Sequence, residues 1–213
     1  MKIKDVDFLF PFIDKMARTI EKHLENNFSK TEIERIFNSA QKSFKNNIST
    51  IPDVGSDNPW LKSIMGVAYL SGLWVELEKF GLNIEEISKI TRESLYDFTK
   101  SSVPADKSFE TSRMLCSYEY ADSLVKRSKK RIYKDDWIVE LVTPKENEKF
   151  KIGYDVYQCP IIKYLKEHNL ERFAKWFCLD DYPIHEAMGI KLDRTKTLAE
   201  GKDFCDFRLT PEK

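Results

Sequence analysis

Residues 153–209 read GYDVYQCPIIKYLKEHNLERFAKWFCLDDYPIHEAMGIKLDRTKTLAEGKDFCDFRL. The stretch opens inside an alternation: Phe150, Ile152, Tyr154 and Val156 recur at every second position, the period of a strand. The pattern then changes, and Pro160 to Lys166, Leu170 to Phe177 and Tyr182 to Met188 read as short helices. Ile190 and Leu192, continued through Arg194-Thr195-Lys196-Thr197, predict another strand. Glu200-Gly201-Lys202-Asp203 is a turn, and Phe204 to Leu209 a final strand. Upstream, Trp137, Val139 and Leu141 alternate in the same way, separated from Phe150 by the polar turn Lys145-Glu146-Asn147-Glu148. The C-terminal half is therefore expected to hold an antiparallel sheet of about four strands with short helices.

The N-terminal half has helical spacing instead. Phe8, Phe12, Met16 and Ile20 mark one face of a first helix. Ser29 with Glu32 predicts a capping box, ahead of Ile33, Ile36, Phe37, Ala40 and Phe44. Asn46 to Ser56 is a loop, and Asn58-Pro59 reads as cap and first turn of the next helix. That helix runs to about Phe80 and is apolar nearly all round, so it should be central; Gly81 ends it. Asn83 with Glu86 caps a further helix to about Lys100. Ser101 to Ser108 is the candidate boundary, and one more helix is expected from about Phe109 to Lys130. The expected fold class is α+β. A mainly helical region, 1–105, packs on an α+β region, 106–213, as one compact unit.

Composition narrows the function classes. The hydrophobic fraction is 41%, with 14 Phe, 9 Tyr and 4 Trp, enough for a substantial core. Lys+Arg and Asp+Glu are both 35, so no net field favours nucleic acid or an anionic membrane. The basic run Lys126-Arg127-Ser128-Lys129-Lys130-Arg131 reads as a solvated helix end. No stretch approaches the roughly 18 apolar residues of a membrane span. The N-terminal MKIKDVDFLFPFIDKM, broken by Pro11 and flanked by aspartates, does not read as a signal peptide. Four widely spaced cysteines do not form a disulfide framework, so the expected location is the reducing cytoplasm with free thiols. The chain lacks a glycine-rich phosphate loop, a G-x-S-x-G elbow and an H-E-x-x-H helix, which leaves nucleotide-dependent, serine-hydrolase and zincin chemistries unsupported.

The groups able to do chemistry crowd into the C-terminal quarter: Cys159, Cys178, Cys205, His168, His185, Asp155, Asp180, Asp181, Asp203 and Asp206. A thiolate is the strongest nucleophile among them, and Cys159 precedes Pro160 at a helix start, where the helix dipole favours it. Cys205 and Phe207 share one strand face; Phe204, Asp206 and Arg208 share the other. His185 follows Asp181 by four residues, which suits an Asp-oriented base or a metal ligand. The same atoms admit a zinc site, with Cys159, Cys178 and Cys205 and either His185 or Asp181. No C-x-x-C knuckle supports it, so the metal question stays open. Each cysteine also has a plain reading as a small core hydrophobe. Arg194 and Arg208 are candidates to bind a carboxylate, the alternative being cross-strand pairing with Asp193 or Asp206. His168 reads as a helix-terminal cation and His23 as solvated.

The blocks GYDVYQC (Gly153 to Cys159), FCLDDYP (Phe177 to Pro183) and RTKTLAEGKDFCDFR (Arg194 to Arg208) resemble the L-2-amino-thiazoline-4-carboxylic acid hydrolases, as does the upstream Asn58 to Ile87. The resemblance implies a hydrolase that opens a C–N bond of a small cyclic amidine or isothiourea. It implies catalytic roles among Cys159, Cys178, Asp181, Cys205 and His185, and substrate contacts from Arg194, Arg208 and Tyr154. It raises the three C-terminal cysteines above Cys116. Its implied partner is a small-molecule substrate, with no nucleic acid or membrane. A fainter similarity of the terminal block to the 4-vinyl-reductase type of ligand-binding domain implies an alternative, a non-enzymatic small-molecule binder or sensor.

Overall fold

The computed structural model describes residues 6–212, residue 105 by its backbone alone; the N-terminal reading that rests on residues 1–5 lies partly outside them. Four helices fill the N-terminal half: α1 (Phe10–Leu24), α2 (Lys30–Asn47), α3 (Leu61–Lys79) and α4 (Ile84–Ser102). Both expected capping boxes form, Ser29 with Glu32 before α2 and Asn83 with Glu86 before α4. In each, the cap side chain accepts an amide of the first turn while the glutamate returns to the cap N–H. α3 is buried nearly all round, and its end closes on Gly81, whose φ of 96° is cheap only for glycine. Gly81 N–H donates to Glu78 and Leu82 N–H to Leu77, the paired bonds of a Schellman end.

Two helix starts differ from the sequence reading. The buried stripe of α1 is Ile13, Met16, Ile20 and Leu24, while Phe8 is 58% exposed. The helix begins only at Phe10, so Phe8 sits in a preceding 3-10 turn and is off the helical face. Asn58 does not cap α3. Its side chain accepts from the Trp60 N–H at 2.9 Å and donates to the Val54 carbonyl at 3.0 Å and to Asp136 at 2.7 Å. These bonds hold it in a turn, and α3 starts three residues later.

The expected single helix after residue 108 is two, α5 (Ser108–Leu115) and α6 (Tyr118–Lys130). Ser117 makes the break by accepting the Tyr120 N–H, the local competition that suits serine to a helix cap. The basic run at the end of α6 is not all solvated. Arg127 bonds Asp136 (2.9 Å), Asp57 (2.8 Å) and the Val54 carbonyl (2.6 Å), clamping the loop before α3 onto the start of the sheet.

The sheet is antiparallel in the order β1-β2-β4-β3: β1 (Ile138–Val142), β2 (Ile152–Gln158), β3 (Ile190–Asp193) and β4 (Cys205–Pro211). The last strand thus inserts between β2 and β3. β3 is shorter than the sequence implies, because Asp206 captures the next segment: it accepts from Thr195 N–H (2.9 Å), Thr195 hydroxyl (2.7 Å) and Lys196 N–H (2.5 Å). A backbone tied to a side chain cannot continue the ladder, which ends at Asp193 opposite Arg208. Between β2 and β3 lie α7 (Pro160–Glu167), α8 (Ala174–Leu179) and α9 (Asp181–Ala187). A single apolar cluster runs from Val6 to Leu209. Trp74 of α3 meets Phe177 at 4.3 Å and Phe173 at 5.3 Å, and Trp60 meets Trp137 at 5.3 Å and Tyr154 at 5.6 Å. Among the described residues no helix is long and apolar enough to cross a membrane.

Gly153 lets β2 and β4 approach closely. A methyl group there would lie 2.9 Å from the Phe207 carbonyl oxygen and from Arg208 Cδ. The backbone oxygen cannot yield without shifting the ladder, so Gly153→Ala is expected to cost about 1–3 kcal/mol, the usual scale of overpacking. Urea unfolding checks this; an unchanged midpoint would contradict the close approach.

Candidate functional site

Cys159 closes β2 and stands at the N-cap of α7, with Pro160 at the first helical position. Burial pushes its thiol up to about 12, against the lowering influence of the Ile162 and Ile161 amides; the Cys205 and Asp181 charges push the same way as burial. Cys178, in α8, is driven above the ordinary thiol range by burial and then by Asp181, with Arg194 opposing and Cys159 and Cys205 adding. Cys205 begins β4. Burial raises its thiol too, while the Leu198 N–H, which donates to Sγ at 3.1 Å, and Arg194 oppose. The three thiols thus share one electrostatic neighbourhood with Asp181, and all rest protonated. Fold, not sequence spacing, brings this about: one cysteine comes from each of a strand end, a short helix and the inserted strand.

Asp181 and Arg194 form the charged centre of this neighbourhood. Arg194 Nη1 donates to Asp181 Oδ2 at 2.5 Å, Nη2 donates to the Cys178 carbonyl, and Nε has no hydrogen-bond partner among the described residues. The Arg194 side chain is 2% exposed and the Asp181 side chain 37%. The guanidinium lies over Phe207 at 4.8 Å and Tyr182 at 5.3 Å. Burial works against its charge, and the Asp181 carboxylate outweighs it, so the group stays a cation. Neither arginine makes the cross-strand pair considered from sequence. Arg208 bonds Asp155 at 2.8 Å instead. Cys205, Phe207 and Tyr154 share one sheet face: Tyr154 stacks on Phe207 at 5.0 Å. Asp155 and Arg208 belong to the other.

Tyr154 is buried, and its phenol is pushed well above the ordinary range by burial, then by Tyr120, Asp181 and Cys116. That places Cys116, which sequence set apart, beside the same neighbourhood; burial alone pushes its thiol up to about 11. His185 is oriented by Asp181, but through the backbone. Its Nδ1 lies 2.6 Å from the Asp181 carbonyl, which can only accept, so Nδ1 carries the proton and Nε2 keeps its lone pair. A helical side chain leans toward the preceding turn, where that carbonyl is, while the Asp181 carboxylate is taken by Arg194. Burial lowers the pKa of His185, against the pull of Asp181, leaving a neutral imidazole. The other histidines are elsewhere. His168 Nε2 lies 2.8 Å from the Thr50 hydroxyl. His23, expected to be solvated, instead pairs with Asp97 at 2.9 Å.

In the sequence Asp180 is one of the C-terminal carboxylates, with no role assigned to it. It is 5% exposed, neither carboxyl oxygen has a hydrogen-bond partner among the described residues, and burial, with the Asp181 charge adding and Arg92 opposing, raises its pKa well above the carboxylate range. Its one sequence signal is the doubled aspartate between Leu179 and Tyr182. Among the described residues no group of three or more His, Cys, Asp and Glu side chains is placed to hold a metal ion. Two grooves run along α4. One, of about 610 Å³, lies against α1 and includes Lys22, His23 and Asp97; the other, of about 690 Å³, lies against α9 and includes Arg92, Tyr182 and Glu186. None of the cysteines lines either groove.

A four-stranded sheet packed against short helices, with Asp181 of α9 bonded to the Arg194 that follows β3, makes this an α+β protein in which three partly or fully buried thiols lie near an Asp–Arg pair. The chain belongs to the L-2-amino-thiazoline-4-carboxylic acid hydrolase family, whose model matches residues 83–209, from the cap of α4 to β4. No curated protein and no solved structure matches the chain.

Proposed function

We propose that the protein is a hydrolase that opens the ring C–N bond of a small cyclic amidine or isothiourea, with 2-amino-thiazoline-4-carboxylate as the reference substrate. Family membership supports the hydrolase class. The observation that carries the reading is the shared neighbourhood of Cys159, Cys178 and Cys205 with the Asp181–Arg194 pair. The ring carbon between sulfur and nitrogen becomes electrophilic when its nitrogen is protonated. Cys159 is the favoured nucleophile, because the amides of Ile161 and Ile162 favour its thiolate. The Cys159 thiol adds to the carbon through Sγ, its proton leaving to the base, the ring C–N bond breaks and the nitrogen departs as a protonated amine. Water then adds to the same carbon and Cys159 Sγ leaves as the thiol, so the substrate sulfur keeps the carbamoyl group. His185, neutral with an unprotonated Nε2, is the candidate base. Arg194 is favoured over Arg208 for the ring carboxylate. It lies over Phe207 on the thiol face and keeps an unpaired Nε–H, whereas Arg208 is held on the opposite face.

Incubation with 2-amino-thiazoline-4-carboxylate, followed by ¹³C NMR at the ring carbon, tests the reading. Conversion of the amidine carbon to a carbamoyl carbon is expected. Tight binding without conversion would instead favour the ligand-binding alternative.

A further inference from the structure

We propose that Asp180 is the anchor for the amidine of the ligand, its two unpaired oxygens receiving side by side the N–H groups of a small cyclic amidine. This deepens the hydrolase reading and rests on it. An aspartate at a helix start ordinarily satisfies its own carboxylate by accepting first-turn amides, which requires extended backbone at the cap. Asp180 has helical backbone (φ −66°, ψ −20°), because α8 runs directly into α9, and it makes no cap bond. Its backbone groups are used, N–H to Phe177 and carbonyl from Ile184, so the carboxyl alone is left without partners. A buried polar group without a partner is rare and calls for an explanation.

α4 packs against both α8 and α9, and on its buried side Ser88 also has a hydroxyl without a hydrogen-bond partner. Arg92, one turn further along α4 and close enough to act on the Asp180 charge, lines the 690 Å³ groove together with Tyr182, which is two residues beyond Asp180. The groove passes the junction at Arg92 and Tyr182, and Asp180 is not among the residues that line it. A planar amidinium presents two parallel N–H donors, the fork that fits a carboxylate. The proton balances within the pair: burial keeps the empty carboxyl neutral, and on binding a neutral amidine the Asp180 proton passes to the ring nitrogen. The result is a carboxylate and an amidinium, and the ring carbon is activated in the same step.

Calorimetry with 2-aminothiazoline, which has the amidine but no carboxylate, and with 2-methylthiazoline, which lacks the exocyclic nitrogen, tests the anchor. Asp180→Asn should stay folded, since no bond of the native protein is removed. It should bind 2-aminothiazoline about 10–100-fold more weakly, with 2-methylthiazoline unchanged and the KM for 2-amino-thiazoline-4-carboxylate raised to match. Asp180→Ser is carried alongside, melting curves show that each variant folds, and the ¹³C carboxyl resonance of Asp180 in the wild type should shift on adding 2-aminothiazoline. Unchanged binding in both variants, no binding by the wild type, or an unmoved Asp180 resonance would overturn the anchor. Ring opening by the wild type with an unaffected Asp180→Asn variant would remove the anchor and leave the hydrolase reading standing. Asp180-dependent binding without any ring opening would uphold the anchor and remove the hydrolase reading.

Discussion

Replacing Cys159 by serine is expected to reduce turnover of 2-amino-thiazoline-4-carboxylate by about 10³-fold or more, the scale seen when a catalytic nucleophile is removed, while the fold persists. The change is nearly isosteric, and a serine hydroxyl at the N-cap of α7 can face the same Ile161 and Ile162 amides as the thiol does. Cys116→Ala should leave turnover close to wild type, since the proposal gives that thiol no step. The same assignment fixes a pH dependence. A thiol held at about 12 is protonated at neutral pH, and each unit of pH below that value costs a factor of about ten in thiolate. Alkylation of native Cys159 by iodoacetamide, read by mass spectrometry, should therefore be slow at pH 7 and rise about tenfold per unit toward pH 10. Substrate should protect it. A rate that levels off near pH 8 would show a thiol of ordinary acidity and contradict the buried environment.

The second large effect is on stability, and it is asymmetric. Asp181→Ala strands a guanidinium that is 2% exposed, with the Cys178 carbonyl left to accept from it and no counter-charge in the pair. Breaking a buried pair in this direction costs about 3–5 kcal/mol. Arg194→Met leaves the opposite residue, a carboxylate 37% exposed that water can solvate, and fills the space over Phe207 and Tyr182 with an apolar chain. It should cost less, about 1.5–3 kcal/mol, the scale of one net charged hydrogen bond. The double variant should recover part of the Asp181→Ala loss, because the stranded cation is gone. Urea unfolding of the three proteins measures this. Equal losses for the two single variants would show that the pair is solvated on both sides.

What sequence revealed and what it hid divide along a physical line. Local rules carried the capping boxes at Ser29 and Asn83, the buried helix α3 and its glycine end, and the two-residue period of Ile152, Tyr154 and Val156. Each depends on residues a few positions apart. The insertion of β4 between β2 and β3 has no such signature, since any of several strand orders satisfies the same alternation. Arg127 reads as one of six residues in a solvated basic run until Asp57 and Asp136 come to it from distant segments. In the candidate site, the blocks containing Cys159, Cys178 and Cys205 were legible as chemistry, and the fold supplies their common neighbourhood with Asp181. The unpaired state of the neighbouring Asp180 was hidden because an aspartate before a helix is usually a satisfied cap. Only its helical backbone, a product of α8 running into α9, reveals that its carboxyl is left over.

The most direct measurement is ring opening itself, compared between the wild type and Cys159→Ser under identical conditions with 2-amino-thiazoline-4-carboxylate. A thiol centre that acts as the hydrolytic site requires conversion of the ring carbon to a carbamoyl carbon by the wild type and none above background by the variant. Equal conversion by both proteins would contradict it.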